Sequence, residues 1–302
     1  MVAMNRAQFF KELLPGINKL FGLEYKTYDN QWKELYEVQS SDRSFEEETK
    51  LAGLGQALRK DEGMGVSYDA GQEAWTSRYD HETFALAFAL TEEAMEDNLY
   101  DNLIKRYTKT LARAFAYAKE TKAVVPFNNG FTAYTVGDAQ NLFSTAHPLV
   151  SGGTNANRPV VAVDLNETAI ENMAIQIAAW TDERGLLIAA RPKKMIIPPG
   201  LQFVATRLLE TQNRVGTADN DISAIYSNGT IPGGYTVNNY LTDADAWFIQ
   251  TDVPNGMKHF ERVALKMSMD GDFDTGNVRY KGRTRYSFGN SEPLGVWGSP
   301  GA

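Results

Sequence analysis

A stripe of large apolar residues at steps of four constrains this chain more than any other feature. Its members are Met95, Leu99, Leu103, Tyr107, Leu111 and Phe115. Thr91 is a suitable N-cap, and Glu92 and Glu93 follow it in the first turn, where the helix dipole favours anions. No Gly or Pro interrupts the segment before Pro126. The pattern therefore predicts a helix over about 91–120, roughly 40 Å long.

This predicted helix is long for a compact enzyme domain, where helices average about 12 residues. A step of four residues slightly overshoots one helical turn of about 3.6 residues, so the apolar stripe winds around the helix. Different parts of the stripe must then meet different partners. We expect the helix to act as a spine that several other elements cross.

The chain before this helix predicts a protruding hairpin. Large side chains alternate with alanines from Phe84 to Leu90, which is typical of a strand with one large and one small face. Upstream, a charged stretch with few large apolar residues spans 53–71 and contains the glycines Gly53, Gly55, Gly63, Gly65 and Gly71. Such a stretch cannot bury itself, and we expect a long mobile excursion between two extended flanks.

The second half of the chain predicts a mixture of helices and strands. Asn166 can cap a helix that Gly185 ends near Arg184, and Pro199 can begin another helix. A polar, Gly-rich and Asn-rich surface loop is expected at 213–245. Short strands are predicted at Leu186–Ala190, Met195–Ile197, Trp247–Gln250, Val263–Met269 and Val278–Phe288. This order indicates an α+β protein.

Composition removes several classes of protein. With no Cys, the chain cannot build a disulfide scaffold, a zinc ribbon, an iron–sulfur cluster or a thiol nucleophile. Its 30 Lys and Arg against 38 Asp and Glu give a formal charge of −8, so any contact with DNA must be local and weak. No apolar run reaches the roughly 18 residues of a membrane span, and we expect a protein made in a cytoplasm without membrane contact.

The three histidines do not form a recognisable catalytic motif. They are His81, His147 and His259, and none has a second His or a carboxylate at the spacing of H-E-x-x-H. Ser144 and His147 could act as nucleophile and base, but the serine lacks the G-x-S-x-G context and no orienting acid is identifiable. We interpret His147 as a structural loop residue that bonds the backbone.

Metal and phosphate motifs are also lacking. Asp270, Asp272 and Asp274 alternate as in a calcium loop, but Thr275 and Lys281 stand where that loop needs Gly and Glu. These acids are expected to form a polar turn between strands. Gly53-Leu54-Gly55 lacks the third glycine of a dinucleotide fingerprint, and the phosphate-loop pattern does not occur. We assign no catalytic, cofactor-binding or metal-binding residue and expect no cofactor.

A basic cluster lies near the C-terminus. Arg279, Lys281, Arg283 and Arg285 alternate along a predicted strand and therefore project from one face. Such a face is more often solvated or paired with another subunit than bound to DNA. Both interpretations stay open at this point.

The order of arm, glycine-rich excursion, spine helix, α+β block and terminal strands resembles the phage major capsid protein of the Hong Kong 97 fold. Shorter strings are similar to the Mu-like major head subunit group. They are Leu90–Glu93, Asp97–Tyr100, Asn141–Pro148, Arg191–Pro199, Asp245–Phe248, Phe260–Arg262, Asp272–Thr275 and Arg285–Gly289. Each string is weak alone, and their order from about residue 30 to the end is specific.

The resemblance implies an α+β fold of the Hong Kong 97 type with an N-terminal arm, an extended loop, a peripheral domain with a long spine helix, and an axial domain. The implied arm spans 1–37 and the extended loop hairpin, lying over a neighbouring subunit, spans 38–85. The implied peripheral domain comprises 86–145 and 258–302, with its spine helix at about 91–120. The implied axial domain, at the centre of a capsomer, spans 146–257.

The implied function is that of a major capsid (head) protein, a structural and non-catalytic subunit. It would self-assemble as hexamers and pentamers into the icosahedral shell that encloses phage double-stranded DNA. Implied partners are portal, scaffolding and decoration proteins, with weak non-specific contact to the packaged DNA. The protein would reside in the virion after assembly in the bacterial host cytoplasm. No motif assigns Lys50 or Lys60 to a cross-link, and no leader domain is evident before the arm.

Two alternatives remain open at the level of sequence. An encapsulin-type nanocompartment shell protein has the same fold but holds protein cargo, which peptide density on the inner wall would reveal. A hydrolase using the loop at 141–148 is the second, and it predicts turnover that is abolished by His147→Ala.

Overall fold

A computed structural model describes residues 18–91, 100–213, 221–271 and 277–302 of the chain, with side chains in the long helix from Lys105 onward. The predicted start of the helix at 92–99, the arm before residue 18, and Asp272 and Asp274 lie outside these ranges. Within them, no helix combines the length and hydropathy needed to cross a bilayer.

The described chain contains both helices and strands, as predicted. The helices are α1 (18–27), α2 (Tyr100–Asn128), α3 (Glu167–Ala178), α4 (Gln202–Leu209) and α5 (Ala224–Asn228), with 3-10 turns at Gln31–Glu34, Pro199–Leu201 and Pro293–Gly295. The strands are β1 (Glu37–Ser40), β2 (Phe45–Ala52), β3 (Gln72–Asp80), β4 (Glu82–Leu90), β5 (His147–Pro148), β6 (Thr154–Asn155), β7 (Pro192–Ile197), β8 (Tyr235–Val237), β9 (Trp247–Thr251), β10 (Met257–Gly271), β11 (Val278–Asn290) and β12 (Val296–Ser299).

Two four-stranded sheets organise the molecule. In the first, the strand order is β1-β10-β11-β4, and the long strands β10 and β11 pair antiparallel. In the second, the order is β12-β9-β7-β8. The last strand of the chain therefore joins the second sheet, although β10 and β11 just before it belong to the first.

The long helix α2 continues past its predicted end near residue 120 to Asn128, with Pro126 in its last turn. A proline inside a helix removes the donor to the carbonyl four residues before it, here that of Lys122, and its ring crowds that carbonyl. The turn stays helical because Ala123, Val124 and Phe127 are buried in a hydrophobic core. Tertiary packing therefore overrides the local signal of the proline.

One face of α2 packs on the first sheet. Leu111, Ala112 and Phe115 share a buried cluster with Leu90 of β4 and Tyr280 of β11. At Gly282 of β11 an added Cβ would lie 2.5 Å from the ring of Phe115, so a glycine lets the ring approach the strand.

Helix α3 confirms one predicted boundary and corrects another. The side chain of Asn166 accepts a hydrogen bond from the backbone N–H of Ala169 at 2.8 Å, which is the predicted N-cap. The helix ends at Ala178 rather than near Arg184. Gly185 instead sits in a later turn with a positive φ of 82°, where its freedom from Cβ strain is needed.

The predicted strand at Leu186–Ala190 is wrong. Leu187 and Ile188 are exposed, and pairing there is limited to one isolated bridge between Thr181 and Leu187. Ala189 has a φ of 51°, which interrupts an extended chain. A short apolar run cannot by itself distinguish a strand from a loop.

The remaining predictions for the second half hold in outline. The segment 195–197 lies within β7, and a 3-10 turn beginning at Pro199 leads into α4. The segment predicted as a loop at 213–245 also contains α5 and β8. The three C-terminal strands are present and longer than predicted, because β10 and β11 pair with each other along most of their length.

We predict that Phe115→Ala lowers the free energy of unfolding by about 3–5 kcal/mol, because it removes a fully packed ring and leaves a cavity over Gly282. Chemical denaturation followed by circular dichroism measures the change. Tyr117→Ala on the same helix is the control, since Tyr117 is 60% exposed and should matter much less. Equal losses for the two variants would contradict this packing.

Candidate functional site

The most prominent surface feature is the hairpin formed by β2 and β3. The two strands pair antiparallel from Phe45 opposite Asp80 to Ala52 opposite Gln72. The connecting segment 53–71, here called the hairpin tip, has no helix or strand. The strand predicted at Phe84–Leu90 lies in β4, which pairs with β11 in the first sheet rather than with β2.

The hairpin tip exposes the few large apolar residues that it contains. Their exposed fractions are 63% for Leu54, 73% for Leu58, 65% for Met64, 66% for Val66 and 98% for Tyr68. Exposed apolar side chains grouped on one projecting segment are typical of a protein–protein contact. Within the described residues of one subunit, these side chains remain uncovered.

The stem of the hairpin is fixed to its own subunit by ion pairs. The Lys258 Nζ atom lies 2.6 Å and 2.7 Å from the two carboxylate oxygens of Glu48. Two residues further along β2, the Lys50 Nζ atom lies 2.8 Å from Glu183 Oε1 and 2.5 Å from Glu292 Oε2. Alternation along the strand places Glu48 and Lys50 on the side that faces the body of the subunit.

Neutral contacts complete this attachment. The hydroxyl of Ser291 donates to the carboxylate of Glu48 and is also hydrogen-bonded to the hydroxyl of Tyr79 on β3. Burial raises the pKa of Tyr79 well above its usual value, so the phenol stays neutral. At Gly137 an added Cβ would lie 2.5 Å from the ring of Trp75, which allows β3 to pack closely on the loop after α2. The subunit therefore holds the stem firmly, and it also contacts the tip where the Arg184 guanidinium donates to the Asp69 carboxylate at 2.8 Å and 3.0 Å.

The segment before β1 is anchored on α2. The backbone N–H of Trp32 donates to Glu120 Oε2 at 3.0 Å, and the hydroxyl of Tyr36 donates to the carbonyl of Ala123 at 2.5 Å. The ammonium of Lys119 lies 4.2 Å from the centroid of the Trp32 ring, a cation–π contact. These contacts hold the start of the described chain along the long helix.

Glu120 titrates near neutral pH in this environment. Burial raises the pKa of its carboxyl from an ordinary 4.5 to about 7, although the N–H groups of Trp32 and Gln31 and the charge of Lys119 oppose the change. Among the described residues, no group is hydrogen-bonded to its second oxygen, Oε1. The carboxylate form is therefore costly in the folded subunit.

The structure supplies an acid beside His147 that the sequence did not reveal. His147 Nδ1 lies 2.6 Å from Asp138 Oδ2, and both side chains are buried. However, Nε2 faces the side-chain oxygen of Asn157 at 3.1 Å rather than the hydroxyl of Ser144. The Ser144 hydroxyl accepts from the backbone N–H of Ala146. The partners of His147 are thus side chains rather than backbone groups, and the nucleophile–base contact of a hydrolase is not formed.

The other two histidines are bridged by Ser287, whose hydroxyl is hydrogen-bonded to His81 Nδ1 and whose carbonyl accepts from His259 Nδ1. His81 is hydrogen-bonded through both ring nitrogens, at 2.9 Å each, to the hydroxyls of Ser287 and Ser41. His259 stacks on Phe288, and burial followed by the charge of Lys119 lowers its pKa to about 3. In the parts of the chain that the structure covers, no three His, Asp or Glu side chains group as metal ligands would. Asp270 is exposed near the end of β10.

Comparison with known protein families accounts for the exposed hairpin tip and for polar groups that face the interior. A family model described as phage capsid protein matches residues 73–298, which is most of the chain. The chain belongs to the phage capsid protein family. It is a major capsid protein, a structural subunit of the virion. The match covers the family as a whole, and membership of the Mu-like group stays a prediction.

Solved capsid structures share the fold of this capsid protein. The capsid structure of the cyanophage P-SCSP1u has a TM-score of 0.57 at 12% identity, over 87% of this chain and 85% of that one. The procapsid of bacteriophage JBD30 has a TM-score of 0.51 at 15% identity, over 98% of this chain and 76% of that one. A virus-like particle from Pyrococcus furiosus has a TM-score of 0.53 at 10% identity, over 95% of this chain and 99% of that one. The predicted Hong Kong 97-type fold is confirmed, and no curated protein matches the sequence.

We predict a pH-dependent effect of Glu120→Gln. A carboxyl with a raised pKa stabilises the folded state fully below its ordinary pKa of 4.5, and this contribution is lost as the pH rises through about 7. The amide cannot ionise and keeps an oxygen for the Trp32 N–H. The variant should therefore be more stable than the wild type at pH 8, by roughly 1–3 kcal/mol, and nearly equal to it near pH 4.5.

Denaturant unfolding at the two pH values measures this difference. Glu120→Ala is the matched control, because it removes the charge and the acceptor together and should be destabilising at the lower pH as well. A Gln variant that follows the wild type at both pH values would show that Glu120 is not desolvated as described.

Proposed function

We propose that this capsid protein self-assembles through hexamers and pentamers into the icosahedral shell that encloses phage double-stranded DNA, and that it has no catalytic activity of its own. The observation that carries the proposal is the hairpin, whose stem is bound by Lys50 and Lys258 while its tip exposes apolar side chains such as Tyr68. A projecting apolar segment on a firmly held stem suits a contact with a neighbouring subunit.

The physics of a shell supports this arrangement. Modest contacts made by several projecting segments add up over several neighbours, and a closed symmetric array avoids an open filament. A formal charge of −8 also suits a wall that contains DNA without a general attraction for it.

The division of the subunit follows from the same proposal. The arm would span 1–37, the extended loop 38–85, the peripheral domain 86–145 and 258–302, and the axial domain 146–257. The first sheet with the cluster around Phe115 and the second sheet with the cluster around Trp247 support two main bodies, and β12, from the 258–302 segment, pairs in the second sheet. We further propose portal, scaffolding and decoration proteins as partners, and assembly in the cytoplasm of the bacterial host.

Assembly is tested by expressing the chain alone and with its scaffolding protein. We expect hexamers, pentamers or closed shells by light scattering and negative-stain microscopy. A strictly monomeric species at all protein and salt concentrations, even with assembly partners present, would reject the proposal. Shells with ordered peptide on the inner wall would instead favour the nanocompartment alternative.

The role of the hairpin tip is tested by replacing residues 53–71 with a short Gly-Ser connector. We expect far-UV circular dichroism and solubility close to the wild type, because the tip buries little against its own subunit, and we expect no stable shells. Normal shells would refute the assembly role of the tip. A globally unfolded variant would refute its placement outside the subunit core.

A milder pair of variants separates apolar contact from loop length. Leu58→Ser with Tyr68→Ser removes two exposed apolar side chains and should weaken assembly. Gln56→Ser with Ser67→Ala is the control in the same segment, since both residues are exposed and polar. Equal assembly of the two double variants would show that the apolar side chains are not the contact.

A further inference from the structure

The basic cluster found in the sequence forms an exposed row on the first sheet. Arg279, Lys281 and Arg283 are exposed on β11, and the residues between them are buried on the opposite face, toward α2. Lys266 of β10 is exposed and pairs in register with Arg283, which adds a fourth cation beside the row. We define the basic face as Lys266, Arg279, Lys281, Arg283 and Arg285.

On the side of the row that faces the edge of the sheet, the surface carries only small side chains. Ala85, Ala87 and Ala89 of β4 are exposed and lie directly opposite Arg283, Lys281 and Arg279. Strand β4 is at the end of the strand order, so no further strand of this sheet stands beyond it in the described structure. A broad partner can therefore approach the cations without meeting bulky side chains.

Positive charge is concentrated here in a chain with an excess of acids. Along the stretch where β10, β11 and β4 pair, Asp270, opposite Arg279, is the one acid that the register places on this face. The Arg285 guanidinium donates to the carbonyls of His81 and Ser44. Burial, and after it the charges of Arg285 and Arg262, lower the pKa of His81 beneath the row.

The geometry of the row suits a regular polyanion. A strand rises about 3.3 Å per residue, so alternate cations stand about 6.6 Å apart. Double-stranded DNA carries one negative charge per about 1.7 Å of its axis, so a phosphate is within reach of each cation along the row. Arginine, which predominates on β11, matches phosphate with a planar fork of donors.

The composition of the face favours nucleic acid over a protein partner. Protein–protein interfaces usually centre on aromatic, Met or large aliphatic anchors, and charged residues are depleted there. The exposed neighbours of this row are Thr83, Ala85, Ala87 and Ala89 of β4 and Ser268 and Asp270 of β10, none of which is a large apolar residue. Protein–DNA interfaces are more polar and far more positively charged.

We propose that the basic face binds the phosphate backbone of double-stranded DNA without sequence preference. Within the shell that we propose above, this surface would then face the packaged genome. The binding itself can be measured on the purified chain in solution, so it does not require shells to form.

The test compares the wild type with Lys281→Gln/Arg283→Gln. Binding to a short fluorescent DNA duplex is followed by anisotropy across a series of salt concentrations. Losing two phosphate contacts should weaken binding at low salt and make the slope of log K against log salt shallower by about 1.8. Lys193→Gln/Arg207→Gln is the matched control, because it removes one exposed Lys and one exposed Arg elsewhere and should leave the slope unchanged.

Three outcomes would overturn the proposal. An unchanged slope in the Lys281/Arg283 variant would show that the face does not contact phosphate. An equal change of the slope in both double variants would show that the effect depends only on the net charge of the protein. Loss of shells with unchanged DNA binding would identify an acidic surface of a second subunit as the partner. Absence of shells in the wild type would count against the proposed function alone, since the DNA measurement stands independently.

Discussion

The packing of α2 against two different cores determines where the other parts of the subunit lie. Near its middle, Phe115 packs over Gly282 in the first sheet, and near its end Phe127 lies 5.3 Å, centroid to centroid, from Phe248 of the second sheet. The same helix receives the hydrogen bond of Trp32 through Glu120. Leu111, Phe115, Ala123 and Phe127 are buried and continue the steps of four of the apolar stripe, so the buried side of the helix winds and meets different partners along its length.

The buried ion pairs at the hairpin stem contribute more to the orientation of the hairpin than to its stability. Desolvating Lys258 and Glu48 costs free energy that their attraction only partly recovers, so an apolar pair of similar size could hold the stem as tightly. An ion pair, however, has few acceptable geometries, and the bridge from Lys50 to both Glu183 and Glu292 fixes β2 against two distant segments. We interpret the pairs as setting the angle at which the tip is presented, because a shell contact depends on angle as much as on affinity.

Periodicity in the sequence was sufficient to predict α2, β10, β11 and the cap at Asn166, because each depends on neighbours within a few residues. Periodicity failed where contacts with residues distant in the sequence determine the local structure. Burial of Phe127 carries the helix past Pro126, and the left-handed conformation of Ala189 breaks an apolar run that otherwise suited a strand. The partners of His147 and Lys50 could not be identified, since Asp138 and Glu292 carry no local motif. The capsid function was predicted from the order of several short sequence segments, because a structural protein has no cluster of reactive side chains that would identify it.

Among the described residues, His147 and Glu120 are buried, while several large apolar side chains of the hairpin tip are exposed. His147 Nε2 faces the side-chain oxygen of Asn157, and the Glu120 carboxylate accepts from the backbone N–H of Trp32. Large apolar side chains such as Tyr68 are exposed to solvent on the hairpin tip. That exposure carries a hydration cost in the isolated subunit, and association of subunits can recover it. In the shell that we propose, the same apolar area would be a driving force for assembly.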